Sequence, residues 1–375
     1  MDFVNLLEYE TAAKEKLSAS ALSQSVYDYY AGGAADEITL KDNRRSYDRI
    51  QLKPRVLVDV SRRSLATSVL DQQIALPVLI APMAFQALAH SDGELATARA
   101  ANAAGTIMIA STLATTAMED IAKVFDNDLA KESGRGMWFQ LYAYKDRELT
   151  RGLVERAVAA GSSALVLTVD APVQGKRDRD MRNNFQLPAH VQIKNLLGKG
   201  GSATFPDGET GSGLAAYINN EFDSSFTWKD IEWLCSLTEL PVVIKGVMCA
   251  EDALLAKEHG VAAVVVSNHG GRQLDTAPAT IDVLTEIVDA ADDKMEVYID
   301  GGIRRGTDVL KALAYGAKAV LLGRPVLWGL AVDGERGVKN VLDILRNELD
   351  ITMGLCGCTS IEGINSSVLA SRFMV

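Results

Sequence analysis

Eight short apolar runs constrain this chain more than anything else in it. They are PVLIAP (77–82), TIMIAS (106–111), MWFQLY (137–142), ALVLTVD (164–170), PVVIKG (241–246), AAVVVSN (262–268), EVYIDGG (296–302) and KAVLLGR (318–324). Polar and apolar residues do not alternate within them. Each run must therefore be buried on both faces, as in a parallel sheet covered by helices. Ala-rich amphipathic segments lie between them, among them residues 92–105, 146–161, 250–260 and 305–317. The first three end on glycine, a helix C-cap signal. Eight strand–helix units predict an α/β fold, a (β/α)8 TIM barrel with an N-terminal helical extension and a long loop after strand 4. A doubly wound sheet is the alternative, and eight near-even units favour closure.

The chain has 375 residues, and a barrel of about 250 residues plus extensions accommodates them as one domain. The boundaries read as an N-terminal extension over 1–75, a barrel over 76–330 and C-terminal helices and tail over 331–375. The long loop after strand 4 covers 171–227. Within it, residues 198–213 carry six glycines in sixteen positions and predict a mobile surface loop, placed to act as a lid. The last stretch, EGINSSVLASRFMV, reads as a surface helix and tail.

The formal charge of −11 argues against nucleic acid or an anionic membrane surface as partner. A bound anion needs local positive charge instead. The four cysteines form no CxxC pair, and Cys356 and Cys358 have no metal-ligand companions nearby. They read as structural thiols of a reduced intracellular protein, with no metal site. The N-terminus lacks the basic start and apolar core of a signal peptide. No apolar run approaches the roughly 18 residues of a membrane span.

In such a barrel the active site gathers at the C-terminal strand ends. Here those ends carry Pro82-Met83-Ala84, Ser111, Gln140 with Tyr142, Thr168 with Asp170, Lys245, Ser267 with His269 and Arg272, Asp300-Gly301-Gly302, and Gly323-Arg324. Polar groups stand just where the apolar runs stop. After strands 7 and 8, DGGIRRGTD (300–308) and Gly323-Arg324 predict a phosphate site, with Arg304 and Arg324 poised beside glycine backbone and a helix start. The alternative is a pair of tight loops with a solvent-facing arginine. Lys245 meets a Schiff-base partner, a phosphate, an electron-rich cofactor or a salt bridge closing the barrel. His269 titrates near neutrality and suits a general base, with Asp170 placed to orient it. Arg177 and Arg272, converging on one pocket, suit a carboxylate.

At this point several motifs in order, VYDYYAGGA (26–34), FQLY (139–142), LTVDAP (167–172), SNHGGRQLD (267–275) and DGGIRRGTD, resemble the FMN-dependent L-2-hydroxy acid oxidase family of glycolate and L-lactate oxidases. The likeness runs from LLEYE (6–10) to GCTSIEGI (357–364). It implies FMN as cofactor and His269 as the base, partnered by Asp170. It implies that Arg177 and Arg272 bind the substrate carboxylate, and that Tyr29 and Tyr142 bind carboxylate and hydroxyl. Lys245 then lies near the flavin. Pro82, Met83, Ala84, Ser111, Gln140, Tyr142, Thr168 and Ser267 surround the isoalloxazine and ribityl chain. Asp300, Gly301, Gly302, Ile303, Arg304, Gly323 and Arg324 make the phosphate site.

Plant glycolate oxidases carry Trp and Thr where this chain has Leu113 and Met83, so the resemblance implies room for a C2 substituent and L-lactate over glycolate as substrate. The oxidant it implies is O2, giving pyruvate and hydrogen peroxide. Glycolate oxidation, or a soluble dehydrogenase using another acceptor, is the alternative. The segment after strand 4 is polar, unlike that of membrane-bound relatives, and the final residues lack an SKL-like address. The expectation is a bacterial cytoplasmic homotetramer or homo-octamer, with no nucleic-acid or membrane partner.

Overall fold

In the computed structural model, residues 3–19, 21–188, 191–197 and 213–370 are described. Most of the Gly-rich stretch expected as a lid, residues 198–212, lies outside them, as do the last five residues. The N-terminal extension begins with three helices, α1 (Leu6–Leu17), α2 (Ala21–Ala31) and α3 (Ile38–Asp48). It is not helical throughout: Thr67–Val69 and Gln72–Ile74 form an antiparallel hairpin. Gln73 donates to Ser133 and Ala75 to Gly105 at the starts of later strands, so the hairpin closes the N-terminal mouth of the barrel. Val69 and Ile74 join the apolar interior there.

All eight apolar runs are strands: β1 (Val78–Ile80), β2 (Ile109–Ser111), β3 (Trp138–Leu141), β4 (Ala164–Thr168), β5 (Val242–Val247), β6 (Ala263–Val266), β7 (Glu296–Ile299) and β8 (Ala319–Leu322). The ladders run parallel from β2 to β8, and β8 pairs with β1. Ile80 bridges Met108, and its N–H donates to Ile107 at 2.9 Å, closing the ring between β1 and β2. Burial explains the missing alternation. Leu79, Ile109, Trp138, Val166, Val243, Val265, Tyr298 and Leu321 fill the interior. Their neighbours Ile80, Phe139, Leu165, Ile244, Val264, Val297 and Leu322 pack outward against helices.

The covering helices are α4 (Gly93–Ala104), the short α5 (Met118–Ala122) and α6 (Asp128–Glu132), α7 (Arg147–Ala159), α10 (Trp228–Ser236), α11 (Ala250–Glu258), α12 (Thr280–Ala291), α13 (Gly306–Ala314) and α14 (Arg324–Cys356). Between β4 and α10 lie α8 (Asp178–Arg182) and α9 (Gly213–Glu221), so the expected long loop is partly helical. α14 is broken at Asp333 and Gly334, where the backbone leaves helical geometry. The expected C-terminal surface helix is only a single turn, Ser366–Val368, because Val368 turns inward and its carbonyl accepts from Lys53. Among the described residues no helix is long and apolar enough to cross a membrane.

Two backbone features shape the top of the barrel. β5 bulges between Lys245 and Val247, and Gly246 there has φ +117°. A Cβ on Gly246 would stand 2.7 Å from the Asp170 Cβ, so glycine is what lets the end of β4 lean over β5.

Candidate active site

The strand ends open into a cleft of about 1090 Å³, part of it open to solvent. It is lined by Pro82, Met83 and Ala84 after β1, Ser111 at the end of β2 and Leu113 after it, Tyr142 after β3 and Thr168 at the end of β4. Lys245 comes from β5, His269 and Arg272 follow β6, Asp300 to Arg304 follow β7, and Gly323 and Arg324 follow β8. Tyr29 arrives from α2 and Arg177 from the segment after β4. Three expected residues do not line it. Asp170 sits behind His269, Gln140 accepts from Ser111 Oγ at 3.2 Å, and Ser267 lies behind Lys245 and His269. Strand ends pointing into a barrel mouth alternate in direction, and sequence position alone does not say which neighbour reaches the cleft.

His269 has φ +57°, a left-handed conformation rare for a residue with a Cβ. Its N–H donates to Ser267 Oγ at 3.1 Å. Its Nδ1 is 2.7 Å from Asp170 Oδ1, which leaves Nε2 for the cleft. Burial lowers the imidazole pKa below its usual value, and Asp170 opposes the shift without reversing it. Burial raises the Asp170 carboxyl, but the charges of His269 and Lys245 and the hydrogen bond outweigh it and hold it below the usual carboxylate range. The pair is thus a neutral base backed by an ionised acid at neutral pH.

Lys245 Nζ donates to Ser267 Oγ at 2.8 Å and stands 3.3 Å from Asp300 Oδ2. Burial disfavours its charge, yet Asp300 and Asp170 raise its pKa above the ordinary value. Of the options open from sequence, a Schiff base needs a neutral amine, so the ammonium held here argues against it. Asp300 turns its charge to Lys245 rather than to the phosphate corner. Its second oxygen has no partner among the described residues.

Cations face one another at two places in the cleft. Burial, and then Arg272, push Arg177 down to about 10. Among the described residues, only Asp180, at 3.8 Å, offers Arg177 a counter-charge. Burial, followed by Arg272 and Arg304, pushes Arg324 down to about 9. Among the described residues its donors reach only the carbonyls of Tyr30, Gly270 and Gly32. Asp180 and, at 3.6 Å from Arg304, Glu10 offset this repulsion only in part, and buried guanidiniums left so under-compensated mark anion sites. The one at Arg324 lies at the start of α14, beside Gly323 and the left-handed Gly301 and Gly302, which suits a phosphate. The buried Gln140 Nε2 has no acceptor among the described residues, so a donor is free for a polar ring edge. These residues fit a flavin mononucleotide.

The sequence reading missed part of the wall. Tyr30 lines the cleft and donates to the Phe85 carbonyl at 2.7 Å. Leu214 and Ile218 reach it from α9, four residues apart on one helix face. Phe185 stacks on Tyr29 at 4.4 Å and 4°, and Phe222 stacks on Tyr142 at 4.4 Å and 23°. Both phenylalanines come from the long insertion, whose glycine content drew attention away from its aromatic and aliphatic residues.

A parallel barrel with this constellation is that of a flavin enzyme, and residues 18–371 match the family described as FMN-dependent dehydrogenase. The chain belongs to this family: it is a flavin-dependent 2-hydroxy acid oxidase or dehydrogenase, and its cofactor is FMN. It is 55% identical to an L-lactate oxidase of Nostoc sp., over 98% of each chain. It is 48% identical to the glycolate oxidase of Spinacia oleracea, over 99% of this chain and 96% of the relative. Among solved structures it resembles mandelate oxidase bound to (S)-4-hydroxymandelic acid, with 42% identity, a TM-score of 0.88 and 98% of each chain covered. A soluble mutant of the membrane-associated (S)-mandelate dehydrogenase of Pseudomonas putida aligns at 39% identity and a TM-score of 0.87, over 99% of this chain and 100% of the other.

Proposed function

We propose that this protein oxidises L-lactate, and L-2-hydroxy acids of similar size, to the 2-oxo acid with O2 as acceptor and hydrogen peroxide as co-product. The hydroxyl proton and the hydrogen at C2 leave the substrate with one electron pair, and O2 takes up both protons and the pair. FMN, when bound, supplies the two-electron acceptor between them.

The residues divide the work. Arg177 and Arg272 receive the carboxylate, which relieves their mutual repulsion. Tyr29 and Tyr142, held by their phenylalanine stacks, donate to carboxylate and hydroxyl. With the acid so held, His269 Nε2 takes the proton, and Asp170 stabilises the imidazolium that forms. Lys245 is the cation kept for the flavin ring, Gln140 a donor to it and Asp300 an acceptor for a ribityl hydroxyl. Arg304, Arg324, Gly301, Gly302, Ile303 and Gly323 hold the phosphate.

The observation that carries the substrate choice is the apolar wall. Met83, Leu113, Leu214 and Ile218 are buried and line the same cleft as His269. A methyl at C2 gains from such a wall, though one methyl is worth only about 1–3 kcal/mol, so discrimination against glycolate is partial. Peroxide release measured over L-lactate, glycolate and L-2-hydroxybutyrate tests this. A kcat/KM for L-lactate above that for glycolate supports it, and the reverse order overturns it. Slow reoxidation of the reduced enzyme in air would point instead to a dehydrogenase.

We also propose self-association. Val56, Leu57, Ile351 and Leu355 are exposed apolar residues, and the Arg55 N–H donates to the Leu355 carbonyl, which draws these segments together.

A further inference from the structure

Asn43 lies on α3, in the N-terminal extension, and is 2% exposed. Its side chain makes a reciprocal amide pair with Asn268: each Nδ2 donates to the other's Oδ1 at 2.9 Å. Asn43 Oδ1 also accepts from Thr280 N–H at 3.3 Å. Asn268 immediately precedes His269. Its Oδ1 accepts from Gly271 N–H at 3.1 Å and its Nδ2 donates to the Pro278 carbonyl at 3.0 Å. The Asn268 amide therefore braces both sides of the turn that holds His269 in its left-handed conformation.

The same residue of α3 touches the other end of the cleft. A Cβ on Gly302 would stand 1.9 Å from the Asn43 carbonyl oxygen, and one on Gly301 would stand 3.3 Å from the Asn43 side chain. Thr280, which donates to Asn43, hydrogen-bonds the Asp300 carbonyl at 2.6 Å through its hydroxyl. The adjacent Arg44 donates to the Gly302 carbonyl at 3.0 Å and pairs with Asp308. Asp308 in turn accepts from the N–H groups of Arg304 and Arg305 at 2.9 Å. Asn43 is thus wedged between the Gly301–Gly302 loop and the His269 turn.

We propose that Asn43 is a positioning residue that joins the phosphate loop and the His269 turn into one unit, so that FMN binding and placement of the base rise and fall together. An amide is needed because it offers a donor and an acceptor in one plane to a second amide. Aspartate cannot donate, and an aliphatic side chain leaves Thr280 N–H unpaired in the interior. The proposal rests on the reading of His269 as the base, and its test separates the two.

The variants are N43A, the milder N43S, N268A, the double variant N43A/N268A, and H269Q. Two quantities are measured: the FMN dissociation constant from quenching of flavin fluorescence, and the anaerobic rate of flavin reduction by L-lactate at saturating FMN. N43A is expected to weaken FMN binding and slow reduction by about tenfold each, and N268A to match it, because both break one pair. The double variant should be no worse than N268A alone. The decisive arm is FMN affinity in N268A, whose side-chain bonds go to Asn43, Gly271 and Pro278 rather than to the phosphate loop. Unchanged FMN affinity in N268A, additive losses in the double variant, or a fall in melting temperature with both quantities intact would overturn the coupling. H269Q reducing flavin at the normal rate would instead overturn the base reading, and the N268A affinity arm would still decide the coupling.

Discussion

Asp170 Oδ1 and His269 Nδ1 meet at 2.7 Å across the mouth of the barrel, although 99 positions separate them in the chain. The contact leaves the opposite ring nitrogen facing the cleft. It joins an ionised acid to an imidazole that burial keeps neutral.

That pairing predicts the pH profile. The base works only when neutral, so kcat/KM should fall as pH drops through the His269 pKa. Burial lowers that pKa, so the acid limb lies below the ordinary value of 6.5. Asp170 raises the His269 pKa, so D170N should move the limb further down while reducing the rate by about 10²–10⁴-fold. A limb that moves up, or a rate within a few-fold of the parent, rejects the assignment. The same shift acts on stability. The unfolded chain binds the His269 proton more readily, so stability contributed by this site declines as pH falls below 6.5 toward the folded value.

H269Q should retain FMN, because the His269 side chain bonds to Asp170 and not to Arg304 or Arg324, and should lose turnover. The retained 450 nm band and the absent bleaching with L-lactate are read in one anaerobic cuvette.

Arg272→Lys should raise KM by about 10–100-fold, since an ammonium cannot pair both carboxylate oxygens. FMN affinity should change far less. Steady-state kinetics on L-lactate, with the FMN dissociation constant as control, separates the two effects.

Arg324→Met should weaken FMN but not riboflavin, which lacks the phosphate. The thermal shift given by each flavin measures this, since stabilisation at fixed ligand concentration tracks affinity. Equal losses for both flavins would place the phosphate elsewhere.

Leu113→Trp should move the kcat/KM ratio from L-lactate toward glycolate by filling the space beside C2. A change of about tenfold is the scale expected for one methyl, and an unchanged ratio would mean that Leu113 only packs.

Much of this site is legible in the sequence. Non-alternating apolar runs followed by polar residues mark parallel strand ends, and nineteen of the residues so identified, or carried over from the family resemblance, line the cleft. Asp170, Gln140 and Ser267 were identified too, but their place behind the cleft depends on side-chain direction, which strand position alone does not give. Phe185, Phe222, Leu214 and Ile218 were missed. Nothing in a loop's composition says which of its apolar residues will fold back over a mouth formed by strands far away in sequence.

The sequence by itself determined the barrel, because eight runs buried on both faces admit few other arrangements. It also located the ionisable groups, because charge at the end of an apolar strand is costly unless used. Only the tertiary structure decided how those groups are paired. Lys245 with Asp300, Asp170 with His269 and Asn43 with Asn268 depend on distances of a few ångströms between segments 55 to 225 residues apart. Such closeness is set by barrel closure and helix packing, which no local pattern encodes.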